Sequence, residues 1–264
     1  MIPDITLVIG TDRKYLPQLK LSWRTWKANR KEFWSWPMVL FYDRSQLSES
    51  EMLLFVNREM QHPMCTLVAW PPLTCEHTKY ESQRDRMLAA HVHVPAMHVT
   101  TKYHWKLDTD AVAGPCENWL EPEWFDGDPV WVCPRWGYSK GRRLLATLED
   151  WADTLPHFAN RPRLNIPQEH PDQLRVGHAR MCSWCSAYLT DFTRLVAQMC
   201  NQTVGPCRLP VPSQDSTAWY VAERLGLPTR IVNMKRKNWS NHPKFHNLKA
   251  AADAILLQAE AVHA

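Results

Sequence analysis

The chain has 264 residues, enough for one large domain or two small ones. Its hydrophobic share of 45% and charged share of 22% describe an ordinary globular protein. Lys and Arg exceed Asp and Glu by only 31 to 27, which does not by itself indicate nucleic-acid binding. Because the sequence shows neither a membrane-length apolar run nor a signal peptide, we expect a cytoplasmic protein.

The first part of the chain alternates apolar, β-rich runs with segments of helical periodicity. Strands are predicted at residues 5–9, 37–43 and 65–69, and a fourth strand runs from residue 103 to Asp108 or through Asp110. Helices are predicted between them at 15–29, 48–59 and 79–93. Strands that alternate with helices form the βαβ pattern of a parallel sheet. We therefore predict a single α/β domain with a largely parallel central sheet and helices on both faces.

Polar side chains follow three of these predicted strands. They are Thr11 and Asp12 after the first strand, Asp43 at the end of the second, and Asp108 and Asp110 at the end of the fourth. Ligands of such sheets bind beyond the carboxyl ends of the strands. The sequence therefore predicts one binding site formed by these residues.

Asp108 and Asp110 are separated by a single residue. Residues i and i+2 of a strand point to the same side, so a strand through Asp110 would aim both carboxylates at one point. If the strand ends at Asp108, the following turn can still do so. Hard divalent cations prefer carboxylate and phosphate oxygens, and one or two carboxylates often hold Mg²⁺ together with substrate phosphates. The pair predicts a Mg²⁺ or Mn²⁺ site, and a solvated turn is the alternative.

Beyond Asp110 the pattern becomes less regular. A short strand at 130–133 and a helix at 141–155 precede a proline-rich loop at 156–171. Residues 180–200 are predicted to contain a strand that turns into a helix at 189–199, and another helix begins after Ser213 and is capped by Gly226. A last strand at 230–232 and a terminal Ala-rich helix complete the prediction.

Eight cysteines and fourteen tryptophans stand out in the composition. Cys182 and Cys185, with Cys200 and Cys207 downstream, suggest a zinc site, but the second pair is too widely spaced for a usual zinc knuckle. We expect buried, reduced thiols, as in a reducing compartment. Tryptophan often lines sugar, base or peptide sites because its face stacks while its N–H donates.

The order of these features resembles the nucleotide-sugar glycosyltransferases of the GT-A fold. The motif that carries the resemblance is Lys106-Leu107-Asp108-Thr109-Asp110 at the end of a central strand. The resemblance implies a donor-binding half at 1–112 and an acceptor-binding, metal-completing half at 113–264. It also implies that Asp108 and Asp110 hold Mn²⁺ or Mg²⁺ against the diphosphate of a nucleoside diphosphate sugar.

The resemblance further implies residues that bind the donor. Thr11, Asp12 and Asp43 would contact the nucleoside. Arg84 or Arg86, on the helix before the Asp-x-Asp motif, would meet the diphosphate. The alternative for both arginines is a solvated helix face.

A catalytic base and a third metal ligand are also implied. Asp215, near the start of a late helix, would deprotonate the acceptor, although an acid there also supports a first helical turn capped by Ser213. Competing carboxylates lie on another helix, at Glu149, Asp150 and Asp153. His246, or else His242, would complete the metal site, and either is otherwise a surface loop residue.

The resulting prediction is a metal-dependent glycosyltransferase, expected to be inverting, with a retaining course left open. The basic and aromatic segment Arg230–Lys249 suits a lid over the donor or a nucleic-acid groove. An acceptor hydroxyl on a hydroxymethylated DNA base, as in some bacteriophage enzymes, is therefore a secondary hypothesis. The alternatives are a nucleotidyltransferase, although only one glycine lies in 10–14, and a non-catalytic nucleic-acid-binding scaffold.

Overall fold

A computed structural model describes residues 1–75, 82–115, 120–133, 142–164, 185–232 and 248–263. Within these ranges the strands are β1 (Ile5–Thr11), β2 (Met38–Asp43), β3 (Cys65–Trp70), β4 (Tyr103–Leu107), β5 (Trp131–Cys133), β6 (Cys185–Leu189) and β7 (Thr229–Ile231). The α-helices are α1 (Leu16–Asn29), α2 (Glu49–Phe55), α3 (Gln83–His98), α4 (Arg142–Ala152), α5 (Thr190–Thr203), α6 (Gln214–Leu225) and α7 (Leu248–His263).

All of these strands belong to one sheet with the order β3-β2-β1-β4-β6-β5-β7. Neighbouring strands are parallel except at β6, which runs antiparallel to both β4 and β5. The predicted α/β class with a largely parallel sheet is confirmed. Because β1, β2 and β4 run the same way, Thr11, Asp43 and Asp108 meet at one edge, as expected from the sequence.

Alternate residues of the central strands pack against helices on opposite faces of the sheet. One face packs with Trp23 and Trp26 of α1, and the other with Ala89 and Ala90 of α3. Burial of both faces explains why β1 and β2 read as continuous apolar runs in the sequence. Six tryptophans are among the largest fully buried side chains: Trp23, Trp26, Trp70, Trp105, Trp131 and Trp219.

The predicted end of α3 is wrong, and the end of β4, which the sequence left open, is now located. Helix α3 continues to His98, past the predicted end at residue 93, with Pro95 inside it. The helix survives because Val94 and Pro95 are buried, and its last turn closes with the Val99 N–H donating to the Pro95 carbonyl at 3.0 Å. Strand β4 ends at Leu107, so the strand does not run on through Asp110.

The cysteines differ from the expectation that all are reduced. Cys75 and Cys207 form a disulfide between residues 132 positions apart. A zinc site that uses Cys207 is therefore excluded in this state, because a half-cystine has no thiolate to offer. Cys200 is a buried free thiol, as expected, and burial raises its pKa to about 12. Cys182 lies outside the described residues.

None of the helices in the described ranges combines the length and apolar character needed to cross a membrane.

Candidate functional site

The segment that follows β4 and carries both aspartates is held by side chains of α1. The Ser22 hydroxyl donates to the Thr109 carbonyl at 2.6 Å, and the Trp26 indole N–H donates to the Ala111 carbonyl at 2.6 Å. Ser22 and Trp26 are both buried, so water does not compete for these bonds. The backbone of the Asp-x-Asp turn is thus fixed by side chains from a different part of the sequence.

The same helix also holds the residues that come next. The Thr25 hydroxyl accepts from the Ala113 N–H at 3.0 Å, and the Asn29 amide donates to the Ala113 carbonyl at 2.9 Å. Arg30, also buried, donates to the Gly114 carbonyl at 3.0 Å. Five residues of α1 and its C-terminal end thereby form one hydrogen-bonded seam along 109–114.

Asp108 is paired with a lysine from the strand that precedes it. Lys106 Nζ lies 2.7 Å from Asp108 Oδ1, and the Lys106 side chain is only 3% exposed, against 24% for Asp108. Asp108 Oδ2 has no hydrogen-bond partner among the described residues. The carboxylate therefore offers one engaged oxygen and one available oxygen at the sheet edge.

Asp110 belongs to the same turn. The turn closes with the Ala111 N–H donating to the Asp108 carbonyl at 3.2 Å, and Asp110 is half-buried. Two carboxylates in one turn are a donor set that suits Mn²⁺ or Mg²⁺. Among the described ranges no three His, Cys, Asp or Glu side chains converge on one point. The predicted third ligand, His246 or His242, lies outside those ranges.

Asp12 connects the beginnings of α1 and α3. Its Oδ1 accepts from the Tyr15 N–H at 2.8 Å, and its Oδ2 accepts from the Gln83 amide at 2.7 Å. Ser82 caps α3 by accepting from the Asp85 N–H at 3.2 Å. Asp12 thus holds the first turn of α3 against the end of β1.

Asp43 plays a parallel part at the end of β2. Its Oδ2 accepts from Arg86 Nη2 at 3.0 Å, and its Oδ1 accepts from the Ser45 hydroxyl at 2.6 Å. The Arg86 side chain is 23% exposed. Arg84 is exposed and has no ion pair within the described part of the chain. Of the two predicted phosphate-binding arginines, Arg86 is therefore the one that the fold fixes in place.

The three predicted nucleoside contacts are buried. Thr11, Asp12 and Asp43 are 1%, 3% and 0% exposed, and offer almost no surface to a ligand. Asp43 is engaged by Ser45 and Arg86, and its contact with a nucleoside stays a prediction. In the structure Asp12 and Asp43 bond to Gln83 and Arg86 in the first turn of α3.

Asp215 lies in the first turn of α6, where Ser213 is the N-cap. Its Oδ1 accepts from the Tyr188 hydroxyl at 2.9 Å, and its Oδ2 accepts from the Gln214 amide at 3.3 Å. Burial raises the pKa of Tyr188 well above its usual value, and the negative charges of Asp215 and, more weakly, Asp108 add to this. Tyr188 therefore lies within electrostatic range of both candidate carboxylates.

The competing carboxylates make their contacts elsewhere in the protein. Glu149 accepts from the Tyr220 hydroxyl at 2.8 Å and pairs with Arg224, and all three side chains lie between α4 and α6. Arg224 also pairs with Asp153 at 3.2 Å, while the Asp150 side chain is 73% exposed. Glu149 and Asp153 therefore connect α4 and the residue after it to α6, and Asp150 is a surface residue.

Sequence reasoning missed three residues of this site. The pairing of Lys106 could have been predicted from the sequence, because a lysine inside a buried strand needs an anionic partner and Asp108 is two positions away. Gln83 is one helical turn before Arg86, which also could have marked it. Tyr188 had no sequence signal, since it reaches Asp215 only through the tertiary fold.

The fold is similar to those of solved glycosyltransferases. Core-mannan synthase A from Aspergillus fumigatus, in a form with Mn and GDP, is 14% identical over 91% of this chain and 75% of that chain, with a TM-score of 0.54. The mannosyltransferase Ktr4p from S. cerevisiae, in complex with GDP, is 10% identical over 86% and 67%, with a TM-score of 0.51. An active-site mutant of LgtC is 10% identical over 85% and 72%, with a TM-score of 0.51.

At these identities the likeness establishes the fold, which is GT-A-like. Comparison of the sequence with protein-family models and with curated proteins gives no match.

Proposed function

We propose that the chain is a divalent-metal-dependent glycosyltransferase that moves a sugar from a nucleoside diphosphate sugar to an acceptor hydroxyl. The observation that carries this proposal is the Asp108–Asp110 turn, fixed by α1 at the carboxyl edge of a GT-A-like sheet. The support from relatives is limited to their printed ligands, Mn and GDP in one and GDP in another.

Asp108 and Asp110 would hold Mn²⁺ or Mg²⁺, and we propose His246 as the third protein ligand. When bound, the cation would neutralise the diphosphate as it leaves. Lys106 holds one oxygen of Asp108 and so turns the other outward. It also offsets part of the repulsion between two neighbouring carboxylates before the cation arrives.

Arg86 is the proposed partner of the donor phosphates. Its guanidinium is pinned by Asp43 and Ser45, yet the side chain keeps some exposed surface at the sheet edge. A guanidinium held in advance loses less freedom on binding a phosphate than an unrestrained one. Arg84 is the freer alternative. Thr11 and Asp12 would support the donor indirectly, by shaping the loop after β1.

Asp215 is the proposed catalytic base of an inverting displacement. Tyr188 and Gln214 each donate to one of its oxygens, which holds the carboxylate in one orientation. A retaining course would leave Asp215 with a positioning role only. The anomeric configuration of the product distinguishes the two.

The acceptor is tested separately. The DNA hypothesis rests on Arg230–Lys249, of which residues 233–247 lie outside the described ranges, while Arg230 donates to the Asp126 carbonyl at 2.8 Å. Transfer to hydroxymethylated DNA but not to unmodified DNA would support it. Salt-sensitive DNA binding without any donor binding would favour the non-catalytic scaffold.

The decisive experiment is calorimetric titration of nucleoside diphosphates and nucleotide sugars, with and without Mn²⁺, against wild type, Asp108→Asn and Asp110→Asn. We expect one nucleotide to bind only with Mn²⁺, and both variants to lose that dependence. Asp128→Asn is the matched control, because Asp128 is an exposed aspartate that pairs with Lys102 away from the site. Metal-independent binding, or unchanged binding in both variants, would contradict the proposal. Turnover of a nucleoside triphosphate instead would indicate a nucleotidyltransferase.

A further inference from the structure

A small cavity lies behind the candidate site, between the sheet and helices α3, α5 and α6. It leaves about 10 Å³ for the centre of a water molecule. Its polar lining residues are His91, His104, Lys106, Tyr188, Thr193 and Gln214. The other four lining residues, among them Val92 and Phe192, are apolar, so the lining is mixed. A cavity of about this size accommodates one water molecule where it offers polar partners, whereas cavities that stay empty are apolar.

Two lining atoms have no hydrogen-bond partner in the part of the chain that the structure describes. Nδ1 of His91 and Nδ1 of His104 are buried and make no hydrogen bond within the described ranges. The ring of His104 is fixed by stacking on Tyr188 at 5.4 Å, and His91 is fixed by an edge contact with Phe41 at 4.8 Å. Buried polar atoms without a protein partner are usually satisfied by ordered water.

The charges around the cavity select the ligand. Burial keeps both imidazoles neutral, with the pKa of His104 lowered to about 3 and that of His91 well below its usual value. Lys106 brings a buried positive charge that Asp108 already balances. A metal cation would face that lysine, and an anion would add a charge with no remaining counter-charge. A neutral molecule that both donates and accepts fits all of the lining groups.

We propose that this cavity binds one ordered water molecule, held by Nδ1 of His91 and Nδ1 of His104. The water joins α3 to β4 beside the Lys106–Asp108 pair and the Tyr188–Asp215 hydrogen bond. The site does not depend on the proposed function, since it follows from the cavity and its lining alone.

The test is a crystal structure of the wild-type protein at a resolution that shows ordered water, together with His104→Phe. We expect a water peak within hydrogen-bonding distance of both Nδ1 atoms in wild type, and its loss or displacement in the variant. Phenylalanine keeps the stacking on Tyr188 but removes the polar atom. An empty cavity in wild type, or either Nδ1 bonded to a protein group, would overturn the proposal.

Thermal unfolding is a second test, because the direction of the change in Tm for His104→Phe distinguishes a filled cavity from an empty one. If water satisfies His104, then His104→Phe removes a hydrogen bond and lowers Tm by roughly 2–4 °C. If the cavity is empty, the same change relieves an unsatisfied atom and raises Tm, which would overturn the proposal. His91→Phe repeats the test from α3 in case one variant does not fold. His93→Phe shows how far Tm falls when a buried histidine loses a known hydrogen bond, because His93 bonds to the Arg208 carbonyl at 2.9 Å.

Discussion

Arg86 donates a hydrogen bond from Nη2 to Asp43 Oδ2 across 3.0 Å, and the Asp43 side chain has no exposed surface. This pair connects the first turn of α3 to the end of β2. A buried carboxylate needs such a partner, because desolvation of an unpaired charge is strongly unfavourable. The arginine that we propose for the donor phosphates is therefore also part of the fold.

Arg86→Met should destabilise the protein by about 3 kcal/mol, because it leaves Asp43 buried and unpaired. Urea unfolding followed by circular dichroism measures this. Arg84→Met is the matched control, since Arg84 is exposed on the same helix turn without an ion pair in the described residues, and it should change stability little. Adding Asp43→Asn to Arg86→Met should recover part of the loss. Equal effects of the two arginine variants would contradict this account.

Trp26→Phe should weaken Mn²⁺-dependent nucleotide binding by about 5- to 10-fold, the equivalent of one lost hydrogen bond to the Ala111 carbonyl. Trp23→Phe is the control. Trp23 is equally buried on α1, but its indole N–H donates to the Met60 carbonyl, away from the aspartates. Both variants should lose stability, and only Trp26→Phe should lose metal-dependent affinity by calorimetry. A matching affinity loss in Trp23→Phe would show that the seam does not position the turn.

Reduction of the Cys75–Cys207 disulfide should destabilise the protein by about 4–5 kcal/mol, because the bond closes a loop of 132 residues. Guanidinium unfolding with and without a phosphine reductant measures the difference. Cys75→Ser combined with Cys207→Ser should unfold like the reduced protein and ignore reductant. Cys200→Ser, at a buried free thiol, should still respond to it.

Peptide mapping without reduction tests the bond directly, and a Cys75–Cys207 cross-linked peptide is expected. Stable disulfides form mainly in oxidising compartments. Its recovery from cells would therefore count against the cytoplasmic location predicted from the sequence. Free thiols at both positions would contradict the pairing.

Stability should fall in acid because of buried neutral histidines. The pKa of His104 is lowered to about 3 by burial, from 6.5 in an exposed state. As pH falls, the unfolded chain therefore takes up a proton at His104 before the folded protein does. Stability is not reduced by this group above about pH 6.5, and it is lost progressively as pH falls towards 3. Each pH unit across this window costs about 1.4 kcal/mol for this one group.

His104→Phe should flatten that part of the stability–pH curve, measured by urea unfolding at several pH values. His157→Gln is the control, because His157 is exposed. An unchanged slope in His104→Phe would mean that other groups, such as carboxylates, account for the acid sensitivity.

The central strands and their polar ends could be predicted because both signals are local. Apolar runs such as 5–9 and 38–42 precede the acids, and parallel strands bring those ends together. The α/β class and the gathering of Asp12, Asp43 and Asp108 followed from these signals. What each acid contacts did not follow, because Gln83 and Arg86 reach them from a helix whose approach no local pattern fixes.

The second half of the site was beyond sequence reasoning for a similar reason. Strand β6 enters between β4 and β5 antiparallel to both, and this places Tyr188 opposite His104. The pairing of Cys75 with Cys207 likewise depends on the packing of α3 against α5 and the loop after it. The strands and helices of this half could be predicted individually, as could the cap at Ser213, but their order in the sheet could not.

The buried tryptophans also determine what the intrinsic fluorescence of this protein can measure. Four of the fourteen tryptophans, Trp23, Trp105, Trp131 and Trp219, are sealed in the interior, so their emission should be blue-shifted and resistant to quenching by iodide. Unfolding should move that emission to the red. Intrinsic fluorescence therefore suits folding studies here, and a labelled nucleotide is the better probe for ligand titrations.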